Sequence, residues 1–185
     1  MKAILCWLFV LLVVGCYSSY VTYEKAYKRY VIVLADSILS SGVRVGGGII
    51  LAASHAVHPD SFAQATTIDR TIYAEPRIEG EIAILRGDRL NLDTILVSDV
   101  FLGNEVHWIQ PRFEPGGGVF LTFGRVAIVS DSSFCIDRPI MFGASGSGVW
   151  NQEGELVGIL QSFIEIHGLP MYARATRLWK YRRMP

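Results

Sequence analysis

The sequence is poor in cysteine and has no excess of charge of either sign. Its 185 residues include three cysteines, and 17 Lys and Arg side chains are matched by 17 Asp and Glu. A near-neutral chain has no overall attraction for nucleic acid, so we do not expect a nucleic-acid-binding protein. Three cysteines are also too few for a disulfide-stapled scaffold, so a hydrophobic core must hold the fold.

Long apolar runs are scarce, and the longest lies at the N-terminus. Lys2 is followed by the twelve-residue apolar stretch "AILCWLFVLLVV" at 3–14. An ordinary transmembrane helix needs about 20 apolar residues, so this stretch is too short for one. A positive charge before a short apolar stretch is typical of a secretory signal peptide. We therefore expect residues 1–15 to be a signal peptide.

The apolar stretch ends in Val13-Val14-Gly15-Cys16, which resembles the lipobox of bacterial lipoproteins, with Val13 in place of the commoner Leu. The resemblance implies cleavage before Cys16, a lipid on Cys16, and an exported, membrane-associated protein on the periplasmic or cell-surface side. A plain signal peptide and an uncleaved signal anchor are the alternatives. Cleavage would leave Cys135 as the one remaining thiol beside the lipidated cysteine, so no intramolecular disulfide is expected.

Short runs of valine and isoleucine, broken by glycine-rich turns, fill the middle of the chain. This pattern favours an all-β fold, a sandwich or a barrel. Strand candidates are 30–38, 43–45, 49–53, 67–73, 81–86, 94–97, 106–109, 119–123, 125–129, 148–150, 156–163 and 170–175.

Three further segments complete the organisation. Residues 16–30 are tyrosine-rich and polar, and we interpret them as a membrane tether that can form a short helix. The "EPGGGV" turn at 114–119 suggests a junction between two halves near 110–118. The last 20 residues contain no acid, and we expect a short, solvated C-terminal helix there. Contact of its basic side chains with anionic lipid headgroups is the alternative.

The chain offers a base, an acid and a nucleophile in that order, which acyl transfer by a serine requires. The base candidate is His55, which follows the apolar run "IILAAS" and has small neighbours. A histidine that merely ends a strand is the structural alternative. A metal site built from His55 and His58 lacks further nearby His or Cys ligands, so we expect no metal.

The acid candidate is Glu81, which heads the apolar run Ile82-Ala83-Ile84-Leu85. A carboxylate at the end of a buried strand can reach a histidine across a subdomain interface. A surface glutamate at a strand start is the alternative interpretation, and Asp69 and Asp88 are fallback acids.

The nucleophile candidate is Ser145, in the stretch "GASGS". Gly143 and Gly146 permit backbone angles there that a side chain would resist. Such a turn can direct the amide N–H groups of Gly143 and Ser145 toward one point, which would form an oxyanion hole. Ser147 breaks the G-x-S-x-G pattern of α/β-hydrolases.

Together these segments resemble the trypsin-like serine proteases, in the family's order and over roughly residues 40–175. "GGGIILAASHAV" is similar to the histidine segment, "GEIAILRGD" to the acid-bearing segment, and "IDRPIMFGASGSGVW" to the nucleophile segment of bacterial members of the HtrA and glutamyl-endopeptidase type. The resemblance implies one protease domain over residues 31–185, made of two six-stranded antiparallel barrels with the site between them. It also implies His55 as base, Glu81 as its partner and Ser145 as nucleophile.

The sequence departs from the family pattern at the acid position and beside the nucleophile. Glu81 stands where most members have Asp, and Ala144 stands where an Asp or Asn usually precedes the serine. In the family the strand after the nucleophile lines the primary pocket, which implies Gln161, Ser162 and Phe163 as pocket residues. None of the three is acidic, which disfavours cutting after Lys or Arg.

The function implied by the resemblance is a membrane-tethered serine endopeptidase that acts on protein or peptide substrates and needs no cofactor. A catalytically inactive protein of the same fold, acting as a binding module, is the first alternative. A non-catalytic β-barrel lipoprotein, in which the motifs are coincidental, is the second.

Overall fold

The computed structural model describes residues 23–58, 60, 62–67, 71–87, 94–112 and 117–179, and these residues form an almost entirely β structure. The strands are β1 (Tyr30–Ala35), β2 (Ile38–Gly46), β3 (Ile49–Ala53), β4 (Ala63–Thr66), β5 (Thr71–Ala74), β6 (Pro76–Glu79), β7 (Ile82–Arg86), β8 (Glu105–Pro111), β9 (Val119–Val129), β10 (Ser133–Ile136), β11 (Gly148–Asn151), β12 (Leu156–Ile166) and β13 (Leu169–Arg177). One short helix, α1, covers residues 23–29.

The first half of the fold is a barrel-like antiparallel sheet in the order β5-β4-β1-β2-β3-β7-β6. The β1–β2 hairpin turns at Asp36 and Ser37, whose φ angles of 44° and 71° are both positive, as a two-residue type I′ turn requires. The sheet has seven strands rather than the six expected. Three strands were missed by the sequence pattern. In this sheet they are β4 and β6, with four residues each and the mixed sequences "AQAT" and "PRIE", and in the second half it is β10, with the sequence "SFCI".

The second half is a closed six-stranded barrel in the order β10-β13-β12-β11-β8-β9, which confirms the predicted architecture. Its core is built on large side chains, among them Trp108, Phe134 and Leu160. Because β8 pairs with β9, the expected junction near 110–118 lies within a hairpin of this barrel. The chain passes between the halves after β7 and before β8, and the strand expected at 94–97 is reduced to one bridge from Val97 to Leu156.

A third apolar cluster joins the two halves and α1. Leu51 and Ile82 come from the first half, Trp150 and Leu156 from the second, and Ala26 from α1. Ala26 is only 2% exposed. Apolar burial of this kind is the main favourable term in domain packing, so the cluster fixes the seam in which the candidate site lies.

Several expectations fall on the ends of the chain. The signal peptide at 1–15 and Cys16 lie outside the described residues. In the described part of the chain, no helix has the length and hydropathy to span a membrane. Because β13 extends to Arg177, the expected C-terminal helix could start only after it, and residues 180–185 are also outside the described range.

Candidate active site

His55 lies in the short 3-10 turn Ser54–Ala56, which follows β3. Its neighbours Ala53 and Ala56 are buried, while the imidazole itself is exposed. Among the residues that the structure describes, none forms a hydrogen bond with the imidazole. The base candidate is therefore held by its backbone position, with its ring open to solvent and to a ligand.

Glu81 lies beside His55, at the start of β7. The backbone N–H of Ser54 donates to the Glu81 carbonyl oxygen at 3.0 Å, and Ala53 pairs with Ile82 in the β3–β7 ladder. The short segments that carry the acid and base candidates are therefore tied together directly. His55 is close enough to act electrostatically on the Glu81 carboxylate.

Two side chains of β13 bind the Glu81 carboxylate from across the seam. Arg174 Nη2 donates to Oε1 at 2.6 Å, and Thr176 Oγ1 donates to Oε2 at 2.7 Å. Burial alone raises the pKa of the Glu81 carboxyl, but these hydrogen bonds and the charges of Arg174 and His55 lower it below its usual value. Glu81 is therefore ionised around neutral pH.

The sequence did not predict that Arg174 and Thr176 bind the acid candidate. They are two positions apart on one strand, so their side chains project from the same face. That spacing was the only local signal, since their partner Glu81 is 93 and 95 residues away. The fallback acids Asp69 and Asp88 lie outside the described residues.

The loop that carries Ser145 is fixed by β2. Ser41 N–H donates to the Ser145 carbonyl oxygen at 2.8 Å, and Ser41 Oγ donates to the Gly143 carbonyl oxygen at 2.6 Å. Gly146 has φ +93°, and a Cβ there would lie 1.9 Å from the Ser41 carbonyl oxygen. Glycine is therefore required at position 146, because the loop passes directly against β2.

The backbone amides of this loop separate into two groups. Those of Ala144, Gly146 and Ser147 donate to backbone carbonyls at 2.7–3.2 Å. Those of Gly143 and Ser145 donate to no acceptor within the described ranges. An amide without a partner is unfavourable unless water or a ligand can reach it, so these two N–H groups are available to a ligand oxygen.

The Ser145 hydroxyl donates to the Gln161 carbonyl oxygen at 2.7 Å. The described structure therefore contains no hydrogen bond from Ser145 to His55, and none from His55 to Glu81. The segments that carry the three side chains are in contact, since a Cβ at Gly146 would lie 3.0 Å from Ala53 N and Ser54 N–H donates to the Glu81 carbonyl oxygen. Catalytic hydrogen bonds often form only when a substrate binds.

The three expected pocket residues differ in their surroundings. The Gln161 side chain is 3% exposed, and its Nε2 finds no acceptor among the described residues. Ser162 is exposed. Phe163 packs edge-to-face on Phe142, with ring centroids 6.3 Å apart. The sequence did not predict Phe142 as a pocket residue. Its side chain is 85% exposed, and it immediately precedes the candidate oxyanion loop.

The charged groups near this surface do not form a metal site. Across the described ranges, no group of three His, Cys, Asp or Glu side chains could hold a metal ion. Glu165 is also on β12, but it is exposed and lies further toward the β12–β13 turn than Phe163. The expected pocket residues Gln161, Ser162 and Phe163 are uncharged, and the charged residue paired with them is Arg174, opposite Ser162.

Comparison with known proteins gives one family and several structures. Residues 40–159 match the family described as "Trypsin-like peptidase domain". The chain is similar to the serine endoprotease from Yersinia pestis, at 22% identity and a TM-score of 0.74, over 86% of this chain and 62% of that one. It therefore spans less than two thirds of the length of the Yersinia pestis chain.

Two other similar structures are of a mycobacterial protease. The inactive form of the Rv3671c protease is 14% identical with a TM-score of 0.68, over 84% of this chain and 86% of that one. An inactive mutant of Rv3671c from M. tuberculosis H37Rv is 13% identical with a TM-score of 0.69, over 84% of each chain. Curated proteins include no significant match to this sequence.

Proposed function

Because the chain belongs to the trypsin-like peptidase domain family, we propose that it is a serine endopeptidase with Ser145 as nucleophile, His55 as general base and Glu81 as the acid that orients His55. One observation carries the proposal. The two amides that flank the Ser145 hydroxyl, those of Gly143 and Ser145, have no acceptor in the described structure. The adjacent loop that begins at Ser54 carries a solvent-open histidine.

In the proposed reaction the Ser145 hydroxyl oxygen attacks the carbonyl carbon of a peptide bond, and His55 accepts the hydroxyl proton. The negative charge that develops on the carbonyl oxygen is bound by the N–H groups of Gly143 and Ser145. His55 then donates the proton to the leaving amine, and an acyl-enzyme remains on Ser145. Water, deprotonated by His55, releases the acyl group and restores the hydroxyl.

This reaction requires two hydrogen bonds to change on substrate binding. The Ser145 hydroxyl must leave the Gln161 carbonyl oxygen, to which it donates at 2.7 Å, and turn to His55. Glu81 can keep both of its β13 partners, since each carboxylate oxygen accepts about two hydrogen bonds. An unused lone pair is then available to the His55 ring N–H.

The membrane association is part of the proposal and is supported by the sequence alone. Cleavage after Gly15 and acylation of Cys16 would place the domain at a membrane surface, with residues 16–22 before α1. Metabolic labelling with a radioactive fatty acid tests this, and we expect label in the wild type and none in Cys16→Ser. Equal labelling of both proteins would exclude Cys16 as the acylated residue.

A binding module with the same fold is the second candidate function. It is favoured by the engagement of the Ser145 hydroxyl with the Gln161 carbonyl oxygen, and by Ala144 at the position before the serine, where family members usually carry Asp or Asn. On this alternative the amides of Gly143 and Ser145 bind a peptide carbonyl oxygen without chemistry.

A fluorophosphonate probe separates the two candidates because it phosphonylates only an activated serine. We expect the wild type to be labelled and Ser145→Ala to be unlabelled. Ser132→Ala is the matched control, since Ser132 is an exposed serine in the turn between β9 and β10 and is not an expected pocket residue, and it should label like the wild type. A folded wild-type protein that never reacts would favour the binding module, and label that persists in Ser145→Ala would place the nucleophile elsewhere.

A further inference from the structure

Ser41 binds the nucleophile loop on both sides of Ala144. Its backbone N–H donates to the Ser145 carbonyl oxygen at 2.8 Å, and its hydroxyl donates to the Gly143 carbonyl oxygen at 2.6 Å. The second distance is short for a neutral hydroxyl–carbonyl hydrogen bond. A single residue of the first half thus holds the two residues whose amides form the candidate oxyanion hole.

Tyr30 forms a hydrogen bond with the Ser41 hydroxyl. Its hydroxyl lies 3.0 Å from Ser41 Oγ. Because the Ser41 hydroxyl gives its one proton to Gly143, the Tyr30 hydroxyl must be the donor in this pair. Burial raises the pKa of Tyr30 to about 12, so the phenol keeps its proton at any pH at which the protein works.

The loop needs such an anchor because its own backbone resists rotation poorly. Gly143 has φ +83° and Gly146 has φ +93°, and glycine moves between backbone regions at little cost. The peptide between residues 143 and 144 carries the Gly143 carbonyl and the Ala144 N–H. If it turned over, the Gly143 carbonyl would leave Ser41, and the N–H groups of Gly143 and Ser145, in the two flanking peptides, would lose their fixed orientation. A carbonyl dipole turned toward the site would repel an oxyanion instead of binding it.

We propose that Ser41 is a positioning residue for catalysis, and that with Tyr30 behind it Ser41 holds the Gly143–Ser145 loop in the conformation that binds the oxyanion. This inference rests on the proposed endopeptidase function. It adds two residues of β1 and β2 to the catalytic machinery, neither of which touches the substrate. Their action is on the orientation of the loop amides.

The experiment follows the inactivation of the enzyme by a fluorophosphonate probe, whose phosphoryl oxygen enters the same oxyanion hole. The first-order step, kinact, reports on the oxyanion hole, and KI reports on probe binding. We expect Ser41→Ala to lower kinact by about 10-fold to 100-fold, which is less than the 10²–10³-fold loss typical for removal of an oxyanion donor, and to leave KI within twofold. Tyr30→Phe should lower kinact by a smaller factor.

Two controls separate positioning from general destabilisation. Ser40→Ala removes the neighbouring buried hydroxyl, which donates to the Val33 carbonyl oxygen at 3.4 Å and does not touch the loop, so kinact should match the wild type. Ser41→Thr keeps the hydroxyl and should restore most of the wild-type kinact. If Ser41→Ala does not fold, Tyr30→Phe and Ser41→Thr decide the question.

The outcomes distinguish this inference from the function on which it rests. A folded wild-type chain that is never labelled overturns the proposed function and this inference together. A labelled wild type with unchanged kinact in Ser41→Ala overturns the inference alone, as does an equal loss in Ser40→Ala. Where Tyr30→Phe and Ser41→Thr must decide, unchanged kinact in Tyr30→Phe or failure of Ser41→Thr to retain the wild-type rate overturns it as well.

Discussion

The two halves of this molecule fill their interiors in different ways. The core of the first half is rich in alanine, with Ala52, Ala65 and Ala83 among its buried members. The core of the second half is built around Trp108 and Phe134. Small side chains let strands and turns approach closely, whereas large ones interlock. The first half presents the proposed acid Glu81 and the proposed base His55 on short turns, and the loop of the proposed nucleophile Ser145 belongs to the second half.

We expect the largest effect from a substitution of Glu81, which links the two halves. Its backbone belongs to the first half, and its carboxylate is bound by side chains of the second. We expect Glu81→Gln to lower kcat/KM by about 10³–10⁴-fold, since loss of the orienting charge in a Ser-His-acid triad has an effect of that order. Circular dichroism and thermal melting should show an intact fold. Near-wild-type turnover would exclude Glu81 from the triad.

Truncation of the second core tests the role of its large side chains. Phe134 is 1% exposed, and its ring lies so close to Gly158 that a Cβ there would be 2.6 Å from the Phe134 ring. Phe134→Ala should reduce the free energy of unfolding by about 3–5 kcal/mol, through lost burial and a cavity. Urea denaturation measures this, and a loss below 1 kcal/mol would mean that the barrel can collapse around the gap.

We expect low pH to reduce the free energy of unfolding, because the second half contains a buried histidine, His107. Burial lowers the pKa of His107 to about 4, whereas the unfolded chain binds the proton near pH 6.5. The unfolded state therefore binds more protons between these values, and stability falls as pH drops from about 6.5 to 4, by about 3 kcal/mol in all.

Urea denaturation across this pH range measures the effect. His107→Gln should flatten the pH dependence of the free energy of unfolding. His58→Gln, at an exposed histidine, is the matched control for the loss of an imidazole, and its pH dependence is compared with that of His107→Gln. An equally steep loss in His107→Gln would assign the acid sensitivity to other groups.

The core of the first half can be tested in the opposite way to that of the second, by adding side-chain volume instead of removing it. Ala83 is fully buried between β3 and β6 in the sheet. Ala83→Leu adds volume where strands pack closely and should cost about 1–3 kcal/mol. The same urea measurement checks it, and a stabilised variant would show that the alanine-rich core contains unfilled space.

The smallest effect should come from the charge that Arg174 brings to Glu81. In Arg174→Met the pKa of Glu81 rises, and the carboxylate offers its full negative charge to a protonated His55. The acidic limb of kcat/KM should then move to higher pH. Thr176→Val removes a hydrogen bond without removing charge, so the limb should stay in place. A shift to lower pH in Arg174→Met would contradict this electrostatic role.

Sequence patterns captured the features that are local. The strand expected at 49–53 is β3 as observed, and the small residues around His55 and Ser145 predicted their loops. The expected break at Gly124 is absent, because β9 runs through it with Gly124 packed close to Ile136. Such packing depends on a strand elsewhere in the chain.

The contacts that position the site were not predictable in the same way. Ser41 reaches Gly143 over 102 residues, and Arg174 reaches Glu81 over 93. No periodicity or spacing rule links positions so far apart. A serine in "LSSGV" and an arginine in "YARAT" look like ordinary strand residues until the two halves are brought together.

The hydrogen bonds between Glu81 and β13 can form only late in the synthesis of the chain. At about 5–20 residues per second, the 93 residues that separate Glu81 from Arg174 take about 5–20 s to synthesise. Throughout that interval a growing chain holds the acid and the base but lacks the finished strand that anchors the acid. On the proposed function, the binding site of the Glu81 carboxylate is therefore completed only after the loop of the nucleophile Ser145 has been synthesised, because β13 follows that loop in the chain.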